Sequence, residues 1–286
     1  MPGIVDQIRY RISTADTLQR IIGLNVLIFV CIRLLHSFSV LLQSPIAGFP
    51  EILNWFGMPS NLQLLITRPW TVLTYMFLHW EFMHLIPNML GVFWFGKILQ
   101  EYLGRKKLLA VYLFGGLAGA LLLIIAGNTL PLLENSVMLG ASASAMAIIM
   151  ATSTLLPDYE MSLLLIGPVK IKWIALAIFL LDLININMSN VGGHVAHIGG
   201  ILMGFVFIIL LRRGYDLTKW VPGFSGSSAV SRSAIRSSKG SDATYLKSKA
   251  DKQERLDEIL DKINRSGYGS LSQAERDFLF KISKDQ

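Results

Sequence analysis

The middle of the chain is almost free of charge. Only 15 of the 45 Asp, Glu, Lys and Arg residues lie between Ile22 and Leu211, and no ionisable side chain occurs from Ser136 to Pro157. The chain is 52% hydrophobic and its mean hydropathy is +0.51, which is too apolar for a soluble domain of this size. This distribution predicts a membrane protein whose apolar core crosses the bilayer several times and whose polar ends lie outside it.

Cysteine is scarce, and the first residues do not show the pattern of a secretion signal. Cys31 is the only cysteine, which excludes an intramolecular disulfide framework. The first twenty residues carry five charged side chains and no short apolar core, so no cleavable signal peptide is expected. We interpret the net charge of +7 as a signal of membrane topology and of contact with lipid headgroups, and we expect no nucleic-acid partner.

The core contains six apolar segments. A membrane-spanning helix needs about 20 apolar residues. We predict a transmembrane helix at each of residues 21–42, 83–99, 108–126, 137–156, 173–186 and 194–211. Arg33, inside the first segment, is assigned a structural role. Residues 43–75 are rich in proline and aromatic residues and are expected to lie in the membrane interface. The predicted fold is an all-α bundle of six transmembrane helices.

Lysine and arginine are concentrated on one side of these predicted helices. They occur in the N-terminal tail and after the second, fourth and sixth segments, whereas the opposite loops hold few of them. Basic residues favour cytoplasmic loops. Both termini are therefore expected in the cytoplasm, and a bacterial inner membrane fits this topology best.

The polar ends divide the chain into four predicted parts. Residues 1–20 form a cytoplasmic N-terminal segment, and 21–213 form the membrane domain. Residues 214–250, rich in serine and basic residues, are a flexible linker that can contact anionic lipid. Residues 251–286 show apolar residues at helical spacing and a capping box at Ser272, which predict a small cytoplasmic helical hairpin for docking or regulation.

Polar residues that can support chemistry lie near one end of three predicted helices. On this topology the second, fourth and sixth helices all begin on the outer side of the membrane. The residues near these starts are His79, His84, Asn88, Ser142, His194 and His197. A serine protease needs a nucleophile, a base and donors for the developing oxyanion, and all three kinds of group are present.

Each of these residues also has a structural interpretation. Ser142 lies among small residues, which commonly mark close helix packing in membranes. A single histidine at the interface is often an anchor, and His79 is assigned to that category or to a supporting role. Between His194 and His197 we favour His197 as the base, because the Gly-x-x-x-Gly pair beginning at Gly200 allows its helix to approach a neighbour closely.

Five short motifs follow one another along this core. They are Arg68-Pro69-Trp70-Thr71 before Phe77-Leu78-His79, His84-x-x-x-Asn88, Gly96 to Gly104 around Glu101, Gly140-Ala141-Ser142, and Ala196-His197-Ile198-Gly199-Gly200. In order, spacing and topology they resemble the motifs of the rhomboid intramembrane serine proteases. The resemblance implies a six-helix bundle with a Ser–His dyad that lies below the membrane surface in a water-filled cavity.

The same resemblance implies roles for individual residues. Ser142 is the nucleophile and His197 the general base. His84, Asn88 and the backbone amide of Ser142 line the oxyanion site. Beyond the site, the resemblance implies a structural motif in the interfacial loop and a structural carboxylate, buried or interfacial, at the cytoplasmic end. These structural residues are Arg68, Trp70 and Glu101.

The sequence departs from the family pattern at two positions. Ala143 follows the serine where the family usually has glycine, and Met146 stands where many members carry an aromatic residue that packs on the base. Alanine supplies the same helical amide, and a thioether can still contact an imidazole. A catalytically altered pseudoprotease that binds transmembrane clients therefore remains an alternative.

The expected activity is hydrolysis of peptide bonds in transmembrane proteins near the outer membrane face, with transmembrane substrates and membrane lipids as partners. No cofactor and no metal are expected, and the oligomeric state is left open. No aspartate is expected at the depth of His197, so the mechanism is a dyad whose histidine tautomer is fixed by another acceptor. The interfacial connection and the segment from Asp182 to Asn190 are candidates for a gate through which the substrate enters.

Metal-dependent proteins and transporters are the less favoured alternatives. Four histidines share one side, but a metalloprotease is expected to carry His-Glu-x-x-His, and the segment from His79 to His84 has a different spacing. No carboxylate is expected beside His194 and His197. A transporter is expected to show inverted repeats with broken helices, and no clear internal repeat is found.

Overall fold

Two compact units make up the chain, Met1–Ser228 and Ala229–Gln286. The computed structural model describes residues 14–43, 48–164, 166–186 and 190–220, together with Ile259, Lys262, Leu271, Ser272 and Glu275. In the second unit, Ser272 and Glu275 exchange the hydrogen bonds of the predicted capping box. Residues 1–13, most of the linker and most of the hairpin lie outside the described residues, so the four-part division stays a prediction.

A helix forms at each of the six predicted apolar segments, and the chain is an all-α membrane bundle as expected. The helices are α1 (Thr17–Leu41), α2 (Phe82–Leu103), α3 (Arg105–Thr129), α4 (Ser142–Leu155), α5 (Ile171–Ile184) and α6 (Val191–Arg212). Helices α1, α2, α3 and α6 are long and apolar enough to cross a membrane. Helices α4 and α5 have 14 residues each, so the count of six spans stays a prediction.

The connection between α1 and α2 is built from short elements instead of one loop. Three short helices occupy Phe49–Phe56, Leu62–Thr67 and Thr71–Thr74. Two strands of two residues each, β1 (Met58–Pro59) and β2 (Val137–Met138), pair antiparallel and tie this connection to the segment before α4. A second antiparallel pair, β3 (Glu160–Leu163) and β4 (Gly167–Lys170), links α4 to α5. The strands β1 and β2, with two residues each, are too short to show the alternation of apolar and polar residues that predicts a strand.

The connection is held by the two residues that the family resemblance marks as structural. The Arg68 guanidinium donates to the backbone oxygen and side chain of Asn54 and lies over the Trp55 ring, 5.2 Å from its centre. The Trp70 indole N–H donates to the Trp55 carbonyl at 2.8 Å. Both side chains thus fasten the helix Phe49–Phe56. Glu101, in contrast, is exposed, so it is not buried, and its role as an interfacial carboxylate at the end of α2 stays a prediction.

The start of α1 is attached to the end of α2. Asp16 caps α1 and forms a capping box with Gln19. The Gln100 side chain accepts from the Leu18 N–H at 3.2 Å and donates to Asp16 at 3.0 Å. The N-terminal end of α1 and the C-terminal end of α2 therefore lie at the same end of the bundle, as the predicted topology requires.

Glycines allow α3, α4 and α6 to pack at very short distances. A Cβ atom built on Gly200 of α6 would lie 2.1 Å from the Ala143 carbonyl oxygen, and one on Gly204 would lie 2.2 Å from that of Ala147. From α3, a Cβ on Gly119 would lie 2.7 Å from the Ala143 Cβ. No side chain fits at such distances, so these glycines set the separation of the three helices.

Candidate active site

The two residues before Ser142 are held by hydrogen bonds of their backbone N–H groups. The Gly140 N–H donates to the Tyr75 carbonyl at 2.9 Å, and the Ala141 N–H donates to His79 Nε2 at 3.3 Å. Gly140 adopts a φ of +122°, which L side chains rarely adopt. Ser142 is the first residue of α4; it is half-buried, and its hydroxyl has no hydrogen-bond partner among the described residues.

No side chain caps the start of α4, because the capping position is occupied by Ala141. The first N–H groups of a helix have no partner within the helix and carry its positive dipole end. The backbone N–H groups beginning with that of Ser142 are therefore available to stabilise negative charge beside the Ser142 hydroxyl.

His84 and Asn88, on the first turns of α2, lie beside this segment. The His84 ring covers Gly140, since a Cβ on that glycine would lie 2.6 Å from the ring atoms Cε1 and Nε2. The Asn88 amide nitrogen donates to the His84 carbonyl at 2.9 Å and lies 3.3 Å from His79 Nε2. The structure thus brings His84 to the start of α4, whereas the Asn88 amide is engaged by His79 and by its own helix.

His79 is buried beside the segment that precedes Ser142. It is 1% exposed, and its Nε2 accepts the hydrogen bond from Ala141, so its ring supports the backbone immediately before Ser142. Burial, with the nearby His84 ring as a second cause, lowers the pKa of His79 to about 3. A neutral His79 is consistent with its Nε2 acting as an acceptor. A supporting role was one of the two interpretations that the sequence left open for His79, the other being an anchor.

An aspartate lies beside both histidines of α6, contrary to the expectation that none would occur at this depth. The Nδ1 atoms of His197 and His194 lie 2.7 Å and 2.8 Å from the same oxygen of Asp182, Oδ1. Asp182 belongs to the last turn of α5, and the short connection to α6 places the end of α5 beside the start of α6. Asp182 is the only ionisable residue of the predicted span 173–186, and an ionisable residue inside a transmembrane segment is by default a candidate for a functional role.

The expectation that no carboxylate accompanies these two histidines was therefore also wrong. One ligand atom from each of Asp182, His194 and His197 lies within 4.8 Å of the others, a grouping that could hold a metal ion. However, ligands about 2.0–2.1 Å from a tetrahedral zinc ion stand roughly 3.3 Å apart. The 2.7 Å and 2.8 Å separations are instead those of hydrogen bonds.

The packing of α4 on α6 places Ser142 and His197 at similar depth. Gly200 lies against Ala143 and Gly204 against Ala147, so the two helices run parallel and in register. Ser142 precedes Ala143 by one residue and His197 precedes Gly200 by three, which puts their Cα atoms about 3 Å apart along the helix axes. His197 also lies near His84 of α2.

Ser142 lies below the level at which α6 begins. Because Gly200 is level with Ala143, Gly199 is level with Ser142. Helix α6 begins eight residues earlier, at Val191, which is about 12 Å farther along the helix axis. At their other ends the two helices are level, because Arg212 of α6 donates to the carbonyls of Thr154 and Leu155 at the end of α4. A 14-residue helix covers about 21 Å, whereas the hydrocarbon layer is about 30 Å thick. Irregular backbone at that depth must be buried or line a water-filled cavity.

The family model for the Rhomboid domain matches residues 67–214, more than half of the chain and the part that carries all of these residues. The chain belongs to the rhomboid family. A second model, for a family of unknown function (DUF6576), matches residues 241–285. This rhomboid is an integral membrane protein of the intramembrane protease or pseudoprotease kind.

Its relatives are distant. RHOMBOID-like protein 6, mitochondrial, of Arabidopsis thaliana is 32% identical over 50% of this chain and 44% of its own length. Presenilin-associated rhomboid-like protein A, mitochondrial, of Danio rerio is 28% identical over 46% and 35%. RHOMBOID-like protein 1 of Arabidopsis thaliana is 26% identical over 68% and 50%. The chain thus spans half or less of these relatives, and they lend no support to a bacterial inner membrane.

Proposed function

We propose that this rhomboid is an intramembrane serine endopeptidase in which Ser142 is the nucleophile and His197 the general base. The observation that carries the proposal is the in-register packing of α4 on α6, which holds the two residues at similar depth. In this mechanism His197 removes the proton of the Ser142 hydroxyl as the oxygen attacks the substrate carbonyl. The base then returns the proton to the leaving amine.

The oxyanion has two sources of stabilisation at the start of α4. The uncapped backbone N–H groups, with that of Ser142 first, lie at the positive end of the helix dipole. The His84 ring lies over Gly140, two residues before the nucleophile. Asn88 acts through His79 and the His84 backbone in this arrangement, and its assignment as a direct oxyanion donor requires its amide to turn toward the substrate.

The proposed substrates are transmembrane proteins cut near the membrane face at which α4 and α6 begin. Peptide bonds inside a stable helix are protected by its own hydrogen bonds. Good substrates should therefore contain a locally weak helix that unwinds into the site. We further propose that this face is the outer one, with both termini in the cytoplasm, because the basic residues cluster at the opposite end of the bundle.

The pseudoprotease alternative rests on Ala143 and Met146. The methyl group of Ala143 lies directly over Gly119 of α3, where a second Cβ would be only 2.7 Å away. Glycine at that position of α3 accommodates the methyl that the family usually lacks in α4. The departure at Ala143 therefore does not argue against activity, and we favour the protease.

Labelling with an alkyl fluorophosphonate tests the nucleophile without a known substrate. The reagent should attach to the Ser142 hydroxyl of the purified protein, as located by peptide mass spectrometry. Labelling should disappear in Ser142→Ala and fall about 1,000-fold or more in His197→Ala, because only an activated serine reacts.

The matched control is Ser144→Ala, which removes a hydroxyl from the same helix two residues away. Ser144 is fully buried and its hydroxyl has no partner among the described residues, so this variant should be labelled like the unmodified protein. Undiminished labelling in Ser142→Ala, or a folded protein that never reacts, would contradict the proposed nucleophile and favour a pseudoprotease.

A further inference from the structure

We propose that Asp182 is a positioning residue that fixes the tautomer and orientation of His197, with His194 as a second donor that holds the carboxylate in place. This inference rests on the proposed function of Ser142 and His197. It replaces the simple dyad with a linked set in which one carboxylate oxygen receives hydrogen bonds from two imidazoles.

The hydrogen bonds determine which ring nitrogens carry protons. An ionised carboxylate has no donor, so the Nδ1 atoms of both histidines must be the donors to Oδ1 of Asp182. In a neutral imidazole the other nitrogen, Nε2, is then an acceptor. His197 is thereby held in the form that can remove a proton from Ser142. The side chains of all three residues are at most 12% exposed. Water therefore competes little for these hydrogen bonds, and each histidine keeps the tautomer that they impose.

We assign His197 to the nucleophile because, of the two histidines, it is the one that lies near His84. The His84 ring covers Gly140 at the start of α4. His194, one turn earlier on α6, is buried and donates to the same oxygen. The other oxygen of Asp182, Oδ2, is buried and has no partner among the described residues. The carboxylate therefore depends on the two imidazoles for its hydrogen bonds.

The proton balance of the reaction follows from this arrangement. The Ser142 proton moves to Nε2 of His197 as the serine oxygen bonds to the substrate carbonyl carbon, whose oxygen becomes the oxyanion. The imidazolium so formed lies against the Asp182 carboxylate, which stays ionised. As the C–N bond breaks, Nε2 gives its proton to the leaving nitrogen. Asp182 contributes its negative charge and its acceptor oxygen, and it does not itself take the proton.

Two substitutions of Asp182 distinguish the effect of its hydrogen-bond acceptor from the effect of its negative charge. In Asp182→Asn the amide oxygen can still accept from both Nδ1–H groups, with the NH₂ group where Oδ2 was, but the charge is gone. We expect kcat to fall about 10- to 100-fold with KM unchanged. Asp182→Ala removes the acceptor too, and kcat should fall about 1,000- to 10,000-fold, as expected when a base adopts the wrong tautomer.

The pH profile provides a readout that a merely structural role would not move. Among the described residues, the ionisable groups near His197 are Asp182 of α5, His194 of α6 and His84 of α2. Helix α4 has no ionisable residue, and those of α3, which also packs on α6, are Arg105, Lys106, Lys107 and Tyr112. Activity requires the neutral imidazole of His197, so it falls as the pH is lowered. Removing the neighbouring negative charge destabilises the imidazolium. The acid limb of Asp182→Asn should therefore shift to lower pH.

Asp158→Asn is the matched control, because Asp158 is an exposed aspartate whose partners, Lys170 and Lys172, lie near the start of α5. Its kcat and its pH profile should match those of the unmodified protein. Folded Asp182→Ala protein with unreduced kcat would overturn the inference while leaving the Ser142 nucleophile intact. Equal losses in both Asp182 variants, with an unshifted acid limb, would also overturn it, because they indicate a structural role.

A second measurement does not depend on activity. In protein labelled with ¹⁵N-histidine, the Nδ1 atoms of His194 and His197 should carry protons, with the signals assigned through His194→Gln and His197→Gln. These Nδ1–H signals should be lost or redistributed in Asp182→Ala and retained in Asp182→Asn. An unprotonated Nδ1 on His197 in the unmodified protein would refute the inference. Absence of fluorophosphonate labelling together with the expected ¹⁵N signals would instead refute the proposed function alone.

Discussion

Replacing Gly200 by valine is expected to abolish detectable cleavage and to lower the stability of the purified protein. Even the Cβ atom of the new side chain would lie 2.1 Å from the Ala143 carbonyl oxygen and 2.8 Å from its carbonyl carbon, and backbone atoms cannot move aside as a side chain can. Helix α6 must therefore separate from α4. Overpacking of this kind typically costs about 1–3 kcal/mol. A displacement of about 1 Å between Ser142 and His197 can by itself cost about 100-fold in rate.

The measurement is substrate cleavage together with thermal unfolding in detergent. Gly23→Val serves as the control, because it adds the same side chain to a glycine of α1 at which a Cβ would have nothing within 4 Å. That variant should unfold and cleave like the unmodified protein. Gly200→Val protein with normal activity would show that the close contact between α4 and α6 is not what positions the dyad.

Replacing Gly140 by alanine is expected to reduce cleavage about 100-fold or more while most of the bundle stays folded. Two physical effects act together at this position. The backbone φ of +122° is strained for any residue with a side chain, and the new methyl would meet the His84 ring at 2.6 Å. His84 must then move away from the oxyanion site, and the Ala141 and Ser142 N–H groups lose their fixed directions.

Two comparisons distinguish these effects. Gly167→Ala places alanine at another positive φ, +89°, where a Cβ has open space, so it reports strain without a clash. It should retain nearly full cleavage. The double variant Gly140→Ala/His84→Ala should recover part of the lost thermal stability, because the clash is gone, but it should not recover activity. Equal activity of Gly140→Ala and Gly167→Ala would contradict the role given to His84 at this site.

The sequence was sufficient to predict the bundle and the family. All six helices were predicted from stretches of sequence that carry almost no charged residues, because burying an uncompensated charge in the apolar layer is costly. Small residues at a spacing of four predicted the approach of α6 to a neighbour, which the contacts of Gly200 and Gly204 confirm. The motif around Ser142 and the histidines led to the family, which the match over residues 67–214 confirms.

The arrangement around Asp182 could not be predicted in the same way. Its position depends on where α5 ends before the connection to α6 and on the rotation of both helices about their axes. A helix as apolar as α5 shows no periodic pattern from which its rotation could be predicted. The Asn88 amide shows the same limit: its i and i+4 spacing from His84 was correct, but the bond to His79 depends on a residue outside the helix. The hydrogen bonds of Asp182 and of the Asn88 amide both depend on contacts between different segments of the chain.

The most direct test of the account is cleavage of a single-span substrate by purified protein, compared with Ser142→Ala and Ser144→Ala and repeated with a metal chelator. The account predicts cleavage by the unmodified protein and by Ser144→Ala, none by Ser142→Ala, and no effect of the chelator. Cleavage that survives in Ser142→Ala would contradict the assignment of the nucleophile. Cleavage that stops with the chelator and returns with added metal would show that Asp182, His194 and His197 hold an ion instead of serving a serine protease.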